Sequence, residues 1–118
     1  MDADRIRVMA IVTESFCREG VGSKAGEHTF EVIMIVTSGE RRGEEIDKRY
    51  TFLDDPPDYL RRDMLRLGFL IRTADELASI PKRLVGMILR VSLVKDGDAS
   101  HVYIEDYFGQ DDPKKYRQ

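Results

Sequence analysis

Along this chain apolar and polar residues alternate with a period of two in five stretches, and with a helical period in one. Ile6, Val8, Ala10 and Val12 alternate with Arg5, Arg7, Met9, Ile11 and Thr13, the mark of a strand with one core-facing side. A polar loop, Arg18 to Glu27, follows with three glycines and is read as flexible. His28 to Thr37 form a second strand with Phe30, Val32, Met34 and Val36 on one face. Its other face, Glu31, Ile33, Ile35 and Thr37, is half apolar, as in a strand that bends across both halves of a barrel. The turn Ser38-Gly39-Glu40-Arg41-Arg42-Gly43 leads into a third strand, Glu45 to Leu53, with Ile46, Tyr50 and Phe52 inward and Asp47, Arg49 and Thr51 outward.

Asp54-Asp55-Pro56-Pro57 then signals a helix start, with an Asp as cap and proline in the first turn. Leu60, Met64, Leu67 and Ile71 give that helix one apolar stripe, and Arg61, Arg62 and Arg66 fall on its polar side. Gly68 ends or bends it. Thr73-Ala74-Asp75-Glu76 reads as a capping box for a short second helix, Ala74 to Ser79, stopped by Pro81. A fourth strand, Met87 to Lys95, points Met87, Leu89, Val91 and Leu93 inward. The turn Asp96-Gly97-Asp98 joins it to a fifth strand, Ser100 to Phe108, with Val102 and Ile104 in the core. Strand–strand–strand–helix–strand–strand is the plan of a five-stranded Greek-key barrel, the OB-fold, with its main helix between strands three and four. Residues 1–109 form the barrel and residues 110–118 a polar, flexible tail.

Composition narrows the possibilities. A chain of 118 residues suggests one domain, and at this size roughly two thirds of the unfolded surface is buried on folding. The single cysteine, Cys17, excludes an internal disulfide and a cysteine-based metal cluster and is expected of a reducing compartment. Met1-Asp2-Ala3-Asp4-Arg5 lacks the apolar core of a signal peptide, and the longest apolar run, Val32 to Val36, is too short to span a bilayer. A cytoplasmic protein without a membrane partner is therefore expected. The net charge of −3 counts against a general affinity for nucleic acid, although 19 Lys and Arg residues leave room for a local basic stripe.

The chemistry-bearing residues point to binding. Arg41 and Arg42 in the hairpin, with outward Arg49, can contact phosphates, and Arg7 and Arg90 extend the same side; the competing reading is solvated charge on a charge-rich surface. Single-stranded bases stack on aromatic rings, and outward parity on the fifth strand offers Tyr103 and Tyr107 beside His101. Phe16 lies near the end of the first strand. Cys17, His28 and His101 match no nucleophile spacing. The adjacent carboxylates Asp54-Asp55 and Asp111-Asp112 point to opposite sides of an extended chain. Neither a Walker-type nor a dinucleotide-binding loop is present. An enzyme is not expected, and no metal or cofactor is called for.

The run Thr29-Phe30-Glu31-Val32, Ser38-Gly39-Glu40, Gly43 and Ile46, the helix, and the step Leu84-Val85-Gly86 before two final strands resemble a family of phage and prophage proteins without an assigned role. The likeness runs from about Arg5 to Phe108. Two departures stand out: Asp47 occupies a third-strand position where members carry larger outward residues, and the tail lacks an acidic stretch ending in an aromatic. The resemblance implies an OB-fold protein that binds single-stranded DNA in DNA replication or recombination. Together these readings give a non-sequence-specific single-stranded-DNA binder, with Arg7, Arg41, Arg42, Arg49 and Arg90 on phosphates and Tyr103 and Tyr107 on bases. The alternative is a barrel that serves as a protein-interaction or assembly module, and the sequence is compatible with a homo-oligomer.

Overall fold

The first strand is long enough to serve two neighbours. In the computed structural model, which describes residues 4–116, β1 spans Asp4–Glu19. Asp4 to Ile11 pair with β4 (Met87–Asp96), and Ala10 to Glu19 pair with β2 (Glu27–Val36). β3 (Glu45–Leu53) lies outside β2, and β5 (Ala99–Gln110) outside β4. The result is one five-stranded antiparallel sheet in the order β3-β2-β1-β4-β5. It curls into a half-barrel whose edge strands β3 and β5 approach each other without ladder pairing among the described residues. The chain between β3 and β4 holds three short helices, α1 (Asp58–Arg66), α2 (Ala74–Ala78) and α3 (Pro81–Leu84). Among the described residues no helix is long and apolar enough to cross a membrane.

Three bulges set the curl and decide which side chains face which way. In β1, Val12 stands opposite Met34 and Glu14 opposite Ile33, so Thr13 is an extra residue. An extra residue bends its strand and reverses the in–out sequence beyond it. Ser15 and Cys17 therefore take the core side, opposite Val32 and Phe30, while Phe16 takes the outer side opposite Glu31. In β5, Glu105 and Phe108 are the extra residues.

The concave face holds the core. Phe30, Val32, Met34 and Val36 of β2, Ile46, Tyr50 and Phe52 of β3, and Met87, Leu89 and Val91 of β4 are buried together, as their parity requires. The expected helical stripe Leu60, Met64, Leu67 and Ile71 is buried in the same cluster. Ile6, expected inside, is 48% exposed, because the end of β1 lies at a cleft between the two sheet edges. Ile11, by contrast, is fully buried but outside the core cluster. It stands in register between Ile35 and Ile88 on the convex face, and a 3-10 turn, Pro113–Lys115, packs against β1.

Local signals at the element ends explain the helices. α1 has Pro57 at its N-cap and no side-chain cap, so the expected Asp cap is absent; Asp54 instead sits at a φ of 60° in the loop before it. α1 stops at Gly68, whose φ of +94° lets Gly68 and Phe69 donate N–H bonds back to Leu65 and Met64. That is a Schellman ending. Thr73 Oγ1 accepts the Glu76 N–H at 3.2 Å, the capping box read in the sequence. Pro81 opens α3 rather than merely stopping α2, because its missing N–H is an orphan donor at a helix start anyway. Beyond β5, where a flexible tail was expected, Asp111 N–H bonds Gly86 O at 2.9 Å, and the Tyr116 hydroxyl donates to Asp111.

Truncating Met64 or Leu67 to alanine is expected to cost about 2–5 kcal/mol in urea unfolding. Losses below about half a kcal/mol for both would mean that the stripe is not core. At Gly86, φ is +93° and an added Cβ would lie 2.7 Å from the Asp111 carbonyl oxygen. Gly86→Ala is therefore expected to destabilise by about 1–3 kcal/mol, with amide exchange at Asp111 accelerated along with it.

Candidate nucleic-acid interface

The convex face of β1, β2 and β3 carries a planar cation–aromatic pair. The bulge at Thr13 turns Phe16 outward, and the Arg18 guanidinium carbon lies 4.4 Å from its ring centroid. Opposite Phe16 stands Glu31, and next to Glu31 in register is Arg49. Arg49 Nη2 donates to Glu31 Oε1 at 3.3 Å. Glu31 is only 7% exposed, and it shares a hydrogen bond with the Asp47 carboxyl. Burial first, and Asp47 second, hold the Glu31 carboxyl above the usual carboxylate range, against the pull of Arg49.

A second pair sits where the sheet edges meet. Lys48 has core parity on β3, between Ile46 and Tyr50, and its ammonium lies 5.3 Å from the Tyr50 ring and 5.2 Å from the Tyr103 ring of β5. Burial pushes its pKa down, with Asp63 acting the other way. Below it α1 bridges the gap. The Tyr50 hydroxyl donates to Asp63, Asp63 pairs with Arg66 at 3.2 Å, and Arg66 Nη1 donates to the Ile104 carbonyl of β5 at 3.1 Å. Arg66, expected to face water, is thus part of the link between β3 and β5. Above the bridge the seam stays open as a cleft of about 490 Å3. Acidic Glu44, Glu45 and Asp47 there face Arg41, Lys95 and His101.

The five arginines expected on phosphates are dispersed, and four are occupied. Arg7 Nε donates to Glu105 at 3.1 Å, Arg41 pairs with Glu44, Arg49 with Glu31, and Arg90 with Asp106 and Glu105. The Ser92 hydroxyl, then Arg7 and Arg90, hold Glu105 below the usual carboxylate range. Only Arg42, exposed in the hairpin, has no carboxylate partner among the described residues. Tyr103 does face outward, beside His101. Tyr107 does not share its face: the bulge at Glu105 places Tyr107 opposite Leu89, on the concave side. Simple alternation counts no bulges, hence the difference. Arg18 and Lys48 escaped the sequence reading. A lysine at core parity in β3 was the available signal for the seam; for Arg18 there was none.

Among the described residues no three His, Cys, Asp or Glu side chains converge on a point that could hold a metal ion. Cys17 lies against the core with its Sγ toward the Leu77 carbonyl, and burial pushes its thiol up to about 11. At neutral pH it is a packing residue, not a thiolate. No protein-family model, curated protein or solved structure matches the chain.

Because the folded state raises the Glu31 pKa, ionising that carboxyl opposes folding. The cost is present at neutral pH and disappears as pH falls. Glu31→Gln is expected to raise the thermal midpoint at pH 7. The gain should vanish below about pH 4.3, the ordinary glutamate value, where Glu31 is protonated in both states. Thermal melts over a pH series check this, and a gain that persists at pH 3 would refute the assignment.

Proposed function

We propose that the chain is an OB-type Greek-key barrel that binds single-stranded DNA without strong sequence preference, through stacking more than through charge. The strand order β3-β2-β1-β4-β5, with β3 and β5 approaching, is what such a barrel gives when it is opened along one seam, and the helices between β3 and β4 suit it. The observation that carries the functional reading is the pairing of ring and cation at Phe16–Arg18 and Tyr103–Lys48. Each offers a π-face for a base and a positive group for the adjoining phosphate. The carboxylate partners of Arg7, Arg41, Arg49 and Arg90 cancel most of the positive field of the arginine face. The exposed pairs among these, such as Arg41–Glu44, contribute little net free energy and can be exchanged for phosphates, but the exchange adds little affinity. Replication or recombination of DNA is the setting that this activity fits.

A second reading is favoured by one specific observation. The edges of β3 and β5, unpaired among the described residues, flank the cleft at the seam, and such edges accept an extended peptide as an added strand. This is the protein-interaction module.

Fluorescence anisotropy with a labelled oligo-thymidine separates them. The DNA reading expects binding whose log–log salt slope is only about −0.7 to −1.4, one or two phosphates' worth for a single strand. Phe16→Ala and Tyr103→Ala should each weaken it by about 1–3 kcal/mol with the slope unchanged. Arg41→Ala/Arg42→Ala should remove about one contact's worth of slope, since Arg42 alone is free. Absence of binding at high-micromolar protein in low salt would remove the DNA reading and leave the peptide reading in its place.

A further inference from the structure

A second cleft, of about 510 Å3, opens where the end of α1, α3, the start of β4 and the last residues of β5 meet. Its lining includes Leu67, Phe69, Lys82, Arg83, Tyr107 and Gln110, and no carboxylate. The cleft at the sheet seam, by contrast, is lined by Glu44, Glu45 and Asp47. Seven arginines elsewhere are held in ion pairs, Arg7, Arg41, Arg49, Arg61, Arg66, Arg72 and Arg90, on a chain whose net charge is −3. Neither Lys82 nor Arg83 has a carboxylate partner among the described residues. Arg83 is nonetheless held in place: its guanidinium carbon sits 4.6 Å from the centroid of the nearly buried Phe69 ring. A stacked guanidinium keeps its donors free at its edge and loses less freedom on binding an anion. The bulges of β5 bring Tyr107, 41% exposed, to the same cleft.

From this juxtaposition of two unpaired cations with an exposed aromatic ring and a side-chain amide, we infer that the cleft binds a nucleotide. The phosphate lies against Lys82 and Arg83, the base lies on Tyr107, and Gln110 is available to a polar edge of the base. The volume falls within the range of small-ligand sites. The cleft is separate from the Phe16 and Tyr103 surfaces and does not depend on the oligonucleotide reading being right.

The test is an NMR titration of the full chain with thymidine monophosphate, thymidine and inorganic phosphate in parallel. Thymidine monophosphate is expected to shift amides of Lys82 to Met87 and Tyr107 to Gln110 and to saturate, with each fragment binding at least about tenfold more weakly, as loss of a charge-assisted hydrogen bond implies. Lys82→Ala/Arg83→Ala should weaken the nucleotide by about tenfold or more, and Tyr107→Ala should weaken the nucleotide but not phosphate. These positions are partly or fully exposed, so unchanged melting curves verify that the variants are folded. Phe16→Ala should leave the titration unaltered. No shift at these amides, equal binding of nucleotide and nucleoside, or an unchanged affinity in the double variant would overturn the inference. Shifts confined to Phe16 and Tyr103 would overturn it too, while leaving the sheet-face reading intact.

Discussion

Everything in this molecule hangs on one strand that must hydrogen-bond on both edges while bending between them. β1 spends its first half on β4 and its second half on β2, overlapping only at Ala10 and Ile11. A flat strand would force all five strands into an open sheet with two exposed faces. The extra residue at Thr13, held by its hydroxyl bond to the Ile33 carbonyl, supplies the bend. The same residue resets side-chain parity, which moves Cys17 into the core and Phe16 onto the outside. On β1 the bend and the outward turn of Phe16 are therefore consequences of a single inserted position.

The curl brings β3 and β5 together but does not pair them. Their union is made by side chains, from Tyr50 through Asp63 and Arg66 to the Ile104 carbonyl. Such a network is strong when every member is satisfied and fails when one is lost. It also divides the seam into a part bridged by α1 and an open part, the cleft lined by Glu44, Glu45, Asp47, Lys95 and His101. The helix thus contributes to the barrel twice, through its apolar stripe and through its polar flank.

Strand positions, the inward residues of β2, β3 and β4, the helix stripe and the Thr73 cap could all be read from the chain, because each is encoded in spacing or in a local hydrogen bond. What could not be read is set by pairing between distant segments. Three bulges lie in strands whose alternation looks regular, so alternation alone sets Tyr107 beside Tyr103, while Ile6 keeps its inward parity and is exposed because its end of β1 meets the open cleft. The charge pattern showed the arginines but not their carboxylates: Glu105 lies 98 residues from Arg7 and Glu31 lies 18 from Arg49. A basic stripe in sequence became a neutral lattice of ion pairs in space.

The turn packed against β1 has a consequence for how the chain is made. Ile11, Ile35 and Ile88 form a row across three strands, and the turn Pro113–Lys115, which packs against β1, follows all five strands in sequence. During synthesis the sheet can assemble only when β4 emerges to take its side of β1. Residues 113–115 can reach β1 only after all five strands have been made. An exposed apolar row on a nascent sheet is a site for aggregation or chaperone capture. Contact from this turn on β1 thus waits on a segment made after the sheet's own strands.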